Sequence, residues 1–191
     1  MTKIKQPYLP FLTINRIVED LRGQFKTLSC LPVKIEDFTE FDLDIEIIPE
    51  LEIRKTIGAD AYITRNFKSI IIDYGYFNNP RMTGRNRITI AHEIGHRILH
   101  KDFYLSQCPI NSKQEWYEMT QNFNTTVQFF LEWQAETFAS LLLMPLDDMM
   151  QSIENHETME TMSRKFNVST KAVISRVKKD DIREKFADIM P

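Results

Sequence analysis

The sequence predicts an α+β fold: a mainly helical domain with a small sheet of about three short strands and a helical C-terminal tail. Three observations predict it. Apolar residues recur at helical spacing in several segments, three short β-like runs fall between Asp44 and Tyr74, and Asn167-Val168-Ser169 punctuates two helical stretches near the C-terminus. With 191 residues, 42% of them hydrophobic, the chain is long enough to bury a core without disulfide staples. Residues 1–150 are expected to form the main domain and residues 151–191 a helix-turn-helix-like tail packed on it.

The elements follow in order. Ile14, Ile17, Val18, Leu21 and Phe25 make one helical stripe, so a helix is expected over 13–27 with Thr13 as its cap. A helical turn fits Ile35–Phe41 after Pro32. The strand runs are Asp44–Ile48, which alternates and ends at Pro49, then Ala59–Arg65 and Lys68–Tyr74, joined as a hairpin around Asn66-Phe67. Gly75, Asn78, Asn79, Pro80 and Gly84 mark Tyr74–Asn86 as a loop. Ile90, Ile94 and Ile98 define a helix over 88–100, and Asp102–Asn124 reads as a polar connection. A helix over Thr126–Met144 stops before Pro145, with Val127, Leu131, Ala135, Phe138 and Leu142 as its core stripe. Asp147 or Asp148 starts another short helix. The tail helices are expected at 157–166 and 170–178, the second capped by Ser169 or Thr170.

Composition narrows the function. Lys and Arg total 24 against 27 Asp and Glu, a formal net charge of -3, so the chain lacks the basic excess of a protein that works by neutralising phosphates. The basic residues of the tail, among them Lys171, Arg176, Lys178 and Arg183, interleave with Asp180, Asp181, Glu184 and Asp188 and read as a solvated face. Cys30 and Cys108 form no Cys-x-x-Cys pair and are expected to be reduced and mostly buried. The N-terminal segment is interrupted by prolines and charges, unlike a secretory signal, and no apolar run approaches the roughly 20 residues of a membrane span. A cytoplasmic protein is expected, without membrane association or direct nucleic-acid binding.

Three of the four histidines, His92, His96 and His100, fall within nine residues. His92-Glu93-Ile94-Gly95-His96 is an HExxH motif on a predicted helix. Residues at i and i+4 share a helical face about 5–6 Å apart, so two imidazoles can reach one Zn²⁺ while Glu93 stands beside them as a base. This predicts one Zn²⁺ per chain in a zincin-like domain. Gly95 costs about 1 kcal/mol against alanine inside a helix. A close approach by another backbone would explain it.

A catalytic zinc takes three protein ligands and keeps one position open. An HExxHxxGxxH extension is absent, because Leu99 and Asp102 stand where its glycine and third histidine would be. Glu132 on the downstream helix is the candidate third ligand. Glu136, one turn on, is the candidate to accept a hydrogen bond from a ligand histidine's other ring nitrogen. His100, at i+8 from His92, is expected as a packed or hydrogen-bonded helix-end residue, with an auxiliary role at the site as the alternative. His156 reads as a surface residue. Tyr104, Tyr117 and Arg97 are candidate oxyanion donors by composition only.

The run Arg87–His100 resembles the zinc-peptidase helix of the ImmA/IrrE family of metallopeptidases. Glu132–Pro145, with Ala135, Phe138, Ala139 and the closing Leu-Leu-Met-Pro, is similar to that family's second block. Met162–Val177, with Phe166-Asn-Val-Ser169, is similar to its end. The resemblance covers about residues 10–180. It implies His92, His96 and Glu132 as zinc ligands and Glu93 as catalytic base. It also implies a protein substrate such as a transcriptional repressor or other regulator. The chain departs from the family at Glu136, where Asn or Asp is usual. Its connection from His96 to Glu132 is also long, so that 102–124 reads as an insertion that covers or shapes the cleft. The N-terminal helix-turn-helix domain that many members carry is not expected here. The expected activity is therefore zinc-dependent endoproteolysis. The alternative is a non-catalytic, zinc-containing regulatory module that binds protein, which would not require Glu93.

Overall fold

A computed structural model describes residues 8–107 and 125–178. The architecture is α+β and mainly helical, with one three-stranded mixed sheet among the described residues. Helix α1 spans Phe11–Gln24 and buries Ile14 and Val18. Pro10, in extended conformation, precedes it, so the helix starts ahead of Thr13; proline's fixed φ suits the residues around a helix start. A short turn, α2 (Ile35–Asp37), runs on through the π-helical Phe38–Asp42 and buries Ile35 and Phe38. Cys30 is exposed, contrary to expectation: it lies in the turn-rich link between α1 and α2, away from the apolar stripes. Cys108 falls outside the described residues.

Strands β1 (Glu46–Glu50), β2 (Ala61–Ile63) and β3 (Ser69–Asp73) form a sheet of order β1-β3-β2. The β2–β3 pair is antiparallel, with Ala61 opposite Ile72, and β1 runs parallel to β3, with Ile47 opposite Ile70. Ile70, Ile71 and Ile72 are all buried, as a central strand covered on both faces requires. β1 starts later than the alternation suggested and runs through Pro49. An edge strand tolerates the missing N–H there. Between β1 and β2 lies α3 (Ile53–Ile57).

The segment after β3 is more ordered than its glycines and asparagines suggest. The Asp73 carboxylate accepts from the Gly75 and Tyr76 amides and caps α4 (Tyr74–Phe77). Asn79 accepts from the Arg81 amide and caps a 3₁₀ turn, Pro80–Met82. Helix α5 then spans Thr83–Gln107, longer than the apolar stripe at both ends. Helix α6 spans Thr125–Leu143, and Leu131, Ala135, Phe138 and Leu142 form its buried stripe. Beyond Pro145 come α7 (Leu146–Glu154), α8 (Met159–Phe166) and α9 (Thr170–Val177). Ser169 caps α9 by accepting from the Ala172 amide. Met162, Phe166, Val168 and Val173 join the same buried cluster as Ile14, Ile70, Ile90 and Phe138. Residues 102–107 complete α5; the remainder of the suspected insertion, 108–124, lies outside the described residues. Among the described residues, no helix is long and apolar enough to cross a membrane.

Candidate metal centre

Helix α5 supplies His92, Glu93 and His96, and α6 supplies Glu132. The helical step puts the His92 and His96 rings edge to face, with centroids 4.7 Å apart and Nε2 atoms 3.0 Å apart. Glu132 Oε2 lies 3.1 Å from His92 Nε2, and Glu132 Oε1 lies 3.6 Å from His96 Nε2. Four tetrahedral ligands at about 2.0–2.1 Å from a zinc would be roughly 3.3 Å from one another. The three donors therefore fit one ion, and their nitrogen and carboxylate chemistry suits Zn²⁺.

The electrostatics agree with this grouping. Burial alone would raise the pKa of Glu132, but hydrogen bonds and charge from His92 and His96 hold its carboxyl well below the usual carboxylate range. Burial works against a charged His92, yet Glu132, Glu93 and Glu136 outweigh it and raise the imidazole above its ordinary value. Negative charge is thus concentrated where a divalent cation would sit.

Behind His96 is a buried polar row. His96 Nδ1 lies 3.0 Å from His100 Nδ1 and 3.2 Å from the Tyr104 hydroxyl, and His100 Nε2 lies 3.2 Å from Gln134 Oε1. His100 and Gln134 are fully buried. Burial, with His96 nearby, pushes the His100 pKa down to about 3, so it is a neutral ring with one proton. A neutral His100 that donates from Nε2 to Gln134 Oε1 would accept at Nδ1 from His96 Nδ1–H. With a metal held, His96 Nε2 would be the atom offered beside His92 and Glu132.

Glu93 is anchored differently. The Ile63 amide of β2 donates to its Oε2 at 2.9 Å, and the side chain is nearly enclosed. Glu136 is exposed on α6 one turn beyond Glu132, and its charge reaches His92. Arg97 donates to the Phe67 carbonyl at 2.5 Å. The Tyr104 hydroxyl lies on the Nδ1 side of His96, behind the three donors, and burial and the Glu132 and Glu93 charges raise its pKa. Tyr117 lies outside the described residues, and His156 is exposed. Gln134 was not found from the sequence. Tyr104 could have been placed, because 92, 96, 100 and 104 continue a four-residue step along one helical face.

A family model described as the IrrE N-terminal-like domain, Peptidase M78, matches residues 76–178, from within α4 to the end of α9. The chain belongs to this family. That membership makes it a member of a metallopeptidase family, and the His-His-Glu group of the Peptidase M78 region is where a metal could be held. The fold is similar to that of a solved Mycobacterium tuberculosis transcriptional regulator. The TM-score is 0.57 at 14% identity, covering 86% of this chain and 46% of that one. The Peptidase M78 chain thus spans under half the length of that regulator. No curated protein matches it.

Proposed function

We propose that the protein is a zinc-dependent cytoplasmic endopeptidase that hydrolyses a peptide bond in a protein substrate, a transcriptional repressor or other regulator. His92, His96 and Glu132 would hold one Zn²⁺ per chain. The observation that carries this reading is the convergence of those three donors beside the Glu93 carboxylate. Bound zinc would polarise the scissile carbonyl and activate a water. Glu93 takes the proton of the attacking water and returns it to the leaving amine. The Ile63 amide holds one Glu93 oxygen and leaves the other for that transfer. His100 and Gln134 fix the ring tautomer of His96, and Glu136 reinforces His92 through its charge.

A second reading is a regulatory module that binds zinc and protein without cutting. The mycobacterial neighbour, named as a transcriptional regulator, favours it. Glu93 separates the two. Glu93→Gln is expected to keep its metal and to lose cleavage of a substrate trapped by that variant in the native host. Cleavage at the wild-type rate would overturn the assigned mechanism.

A further inference from the structure

A groove of about 720 Å³, within the size range of ligand sites, opens along α5 and α6 one helical turn from the metal group. Its lining follows the two site helices away from the metal group. One turn before His92 stands Ile88, and one turn after Glu132 stands Glu136; a turn further are Gly84 and Ser140. The opposite wall is the α8–α9 turn, Asn167–Lys171. That wall rests on backbone contact: a Cβ on Gly84 would lie 2.8 Å from Ser169 N and 2.9 Å from Val168 C. Only glycine lets the turn seat there, so the wall has a fixed position relative to α5.

The charges along the groove are ordered. Glu136 follows Glu132 by one turn of α6, Arg85 and Arg81 precede His92 by seven and eleven residues, and Lys171 stands on the facing wall. Arg85 is committed to Asp60, at 2.8 Å through Nε. Arg81 and Lys171 are exposed and have no carboxylate partner among the described residues.

We propose, resting on the peptidase reading, that this groove holds the substrate polypeptide on one side of the scissile bond and selects an acidic side chain about four residues from it. The spacing follows from the helix. Thr83 precedes His92 by nine helical steps, which at about 1.5 Å each is roughly 13 Å, or about four residues of extended chain. Arg81, with Lys171 on the facing wall, favours an acidic side chain at that distance. The C-terminal helix pair is thereby a wall of the substrate site.

The test uses the full-length Glu93→Gln protein loaded with zinc and two sets of fluorescent 12-residue peptides of mixed sequence. One set carries Asp or Glu at every fourth position and the other carries Lys there. The acidic set is expected to bind about fivefold tighter at low salt, with the ratio shrinking as salt rises. Arg81→Glu/Lys171→Glu should abolish or reverse the preference while zinc content stays unchanged. Arg81→Gln/Lys171→Gln should weaken it. Equal binding of the two sets, preference for the Lys set, or a preference that survives both double variants overturns the proposal. A wild-type chain that cuts protein but shows no acidic preference keeps the peptidase reading and loses the groove assignment. A chain that takes up no zinc at His92, His96 and Glu132 loses both.

Discussion

Gly95 and Ala135 bring α5 and α6 together backbone to backbone: a Cβ on residue 95 would lie 3.1 Å from both the Cα and the carbonyl oxygen of Ala135. The contact lies one residue before His96 and three after Glu132, so it sets the distance between the two halves of the metal group. Gly95→Ala gains about 1 kcal/mol of helix propensity but crowds a fully buried backbone, which costs about 1–3 kcal/mol. The expected result is a metal-free protein destabilised by about 1 kcal/mol in urea and a weakened affinity for zinc. A stabilised variant with wild-type affinity would show that α6 can yield.

Purified protein is expected to hold about one Zn²⁺ per chain by elemental analysis, and Glu132→Ala to lose it. Removing the ion with a chelator should lower the wild-type melting temperature, because the ion binds only the folded chain, and should leave that of Glu132→Ala where it was. Metal content unchanged in the variant would take Glu132 out of the ligand set.

Gln134→Leu strands the buried His100 Nε2–H and frees His96 to take the wrong tautomer. Zinc affinity, measured by competition with a chromophoric chelator, should fall by about 10-fold or more. Gln134→Glu keeps an acceptor oxygen at the same place and should recover most of the loss. If both variants bind zinc alike, the row behind His96 is packing alone.

Arg87, first residue of the zinc-peptidase helix motif, acts at a distance from the metal. Its buried guanidinium donates to the Val33 carbonyl and to Glu36, tying α5 to α2. Arg87→Met removes those donors and should cost about 1–3 kcal/mol in chemical denaturation. Zinc affinity should change little. A large loss of affinity with stability intact would assign Arg87 to the site.

The parts of the structure that were legible from the sequence are those dictated by a repeating pattern. The four-residue step of His92 and His96, the stripe through Leu131, Ala135, Phe138 and Leu142, and the β2–β3 hairpin each follow from a period. Gly95 announced a close backbone, although not whose. What escaped was set by partners distant in sequence. Gly84 reads as a loop residue until the Ser169 backbone is placed against it, so the start of α5 was missed. Asp73 reads as a strand end and is also the cap of α4. Gln134 is an ordinary helix residue until α6 is packed on α5 and its side chain meets His100.

His92 and Glu93 are adjacent in the chain and lean on different supports. His92 faces Glu132 on α6, whereas Glu93 is held by the edge strand of the sheet through Ile63. Helix α5 is thereby pinned at two azimuths, like a shaft keyed on both sides, and it cannot roll about its axis without breaking one contact or the other. The offset between the proton acceptor and the metal ligands is therefore a property of three elements together. A protein that docked against β2 and drew it aside would detune the base while leaving His92, His96 and Glu132 in place.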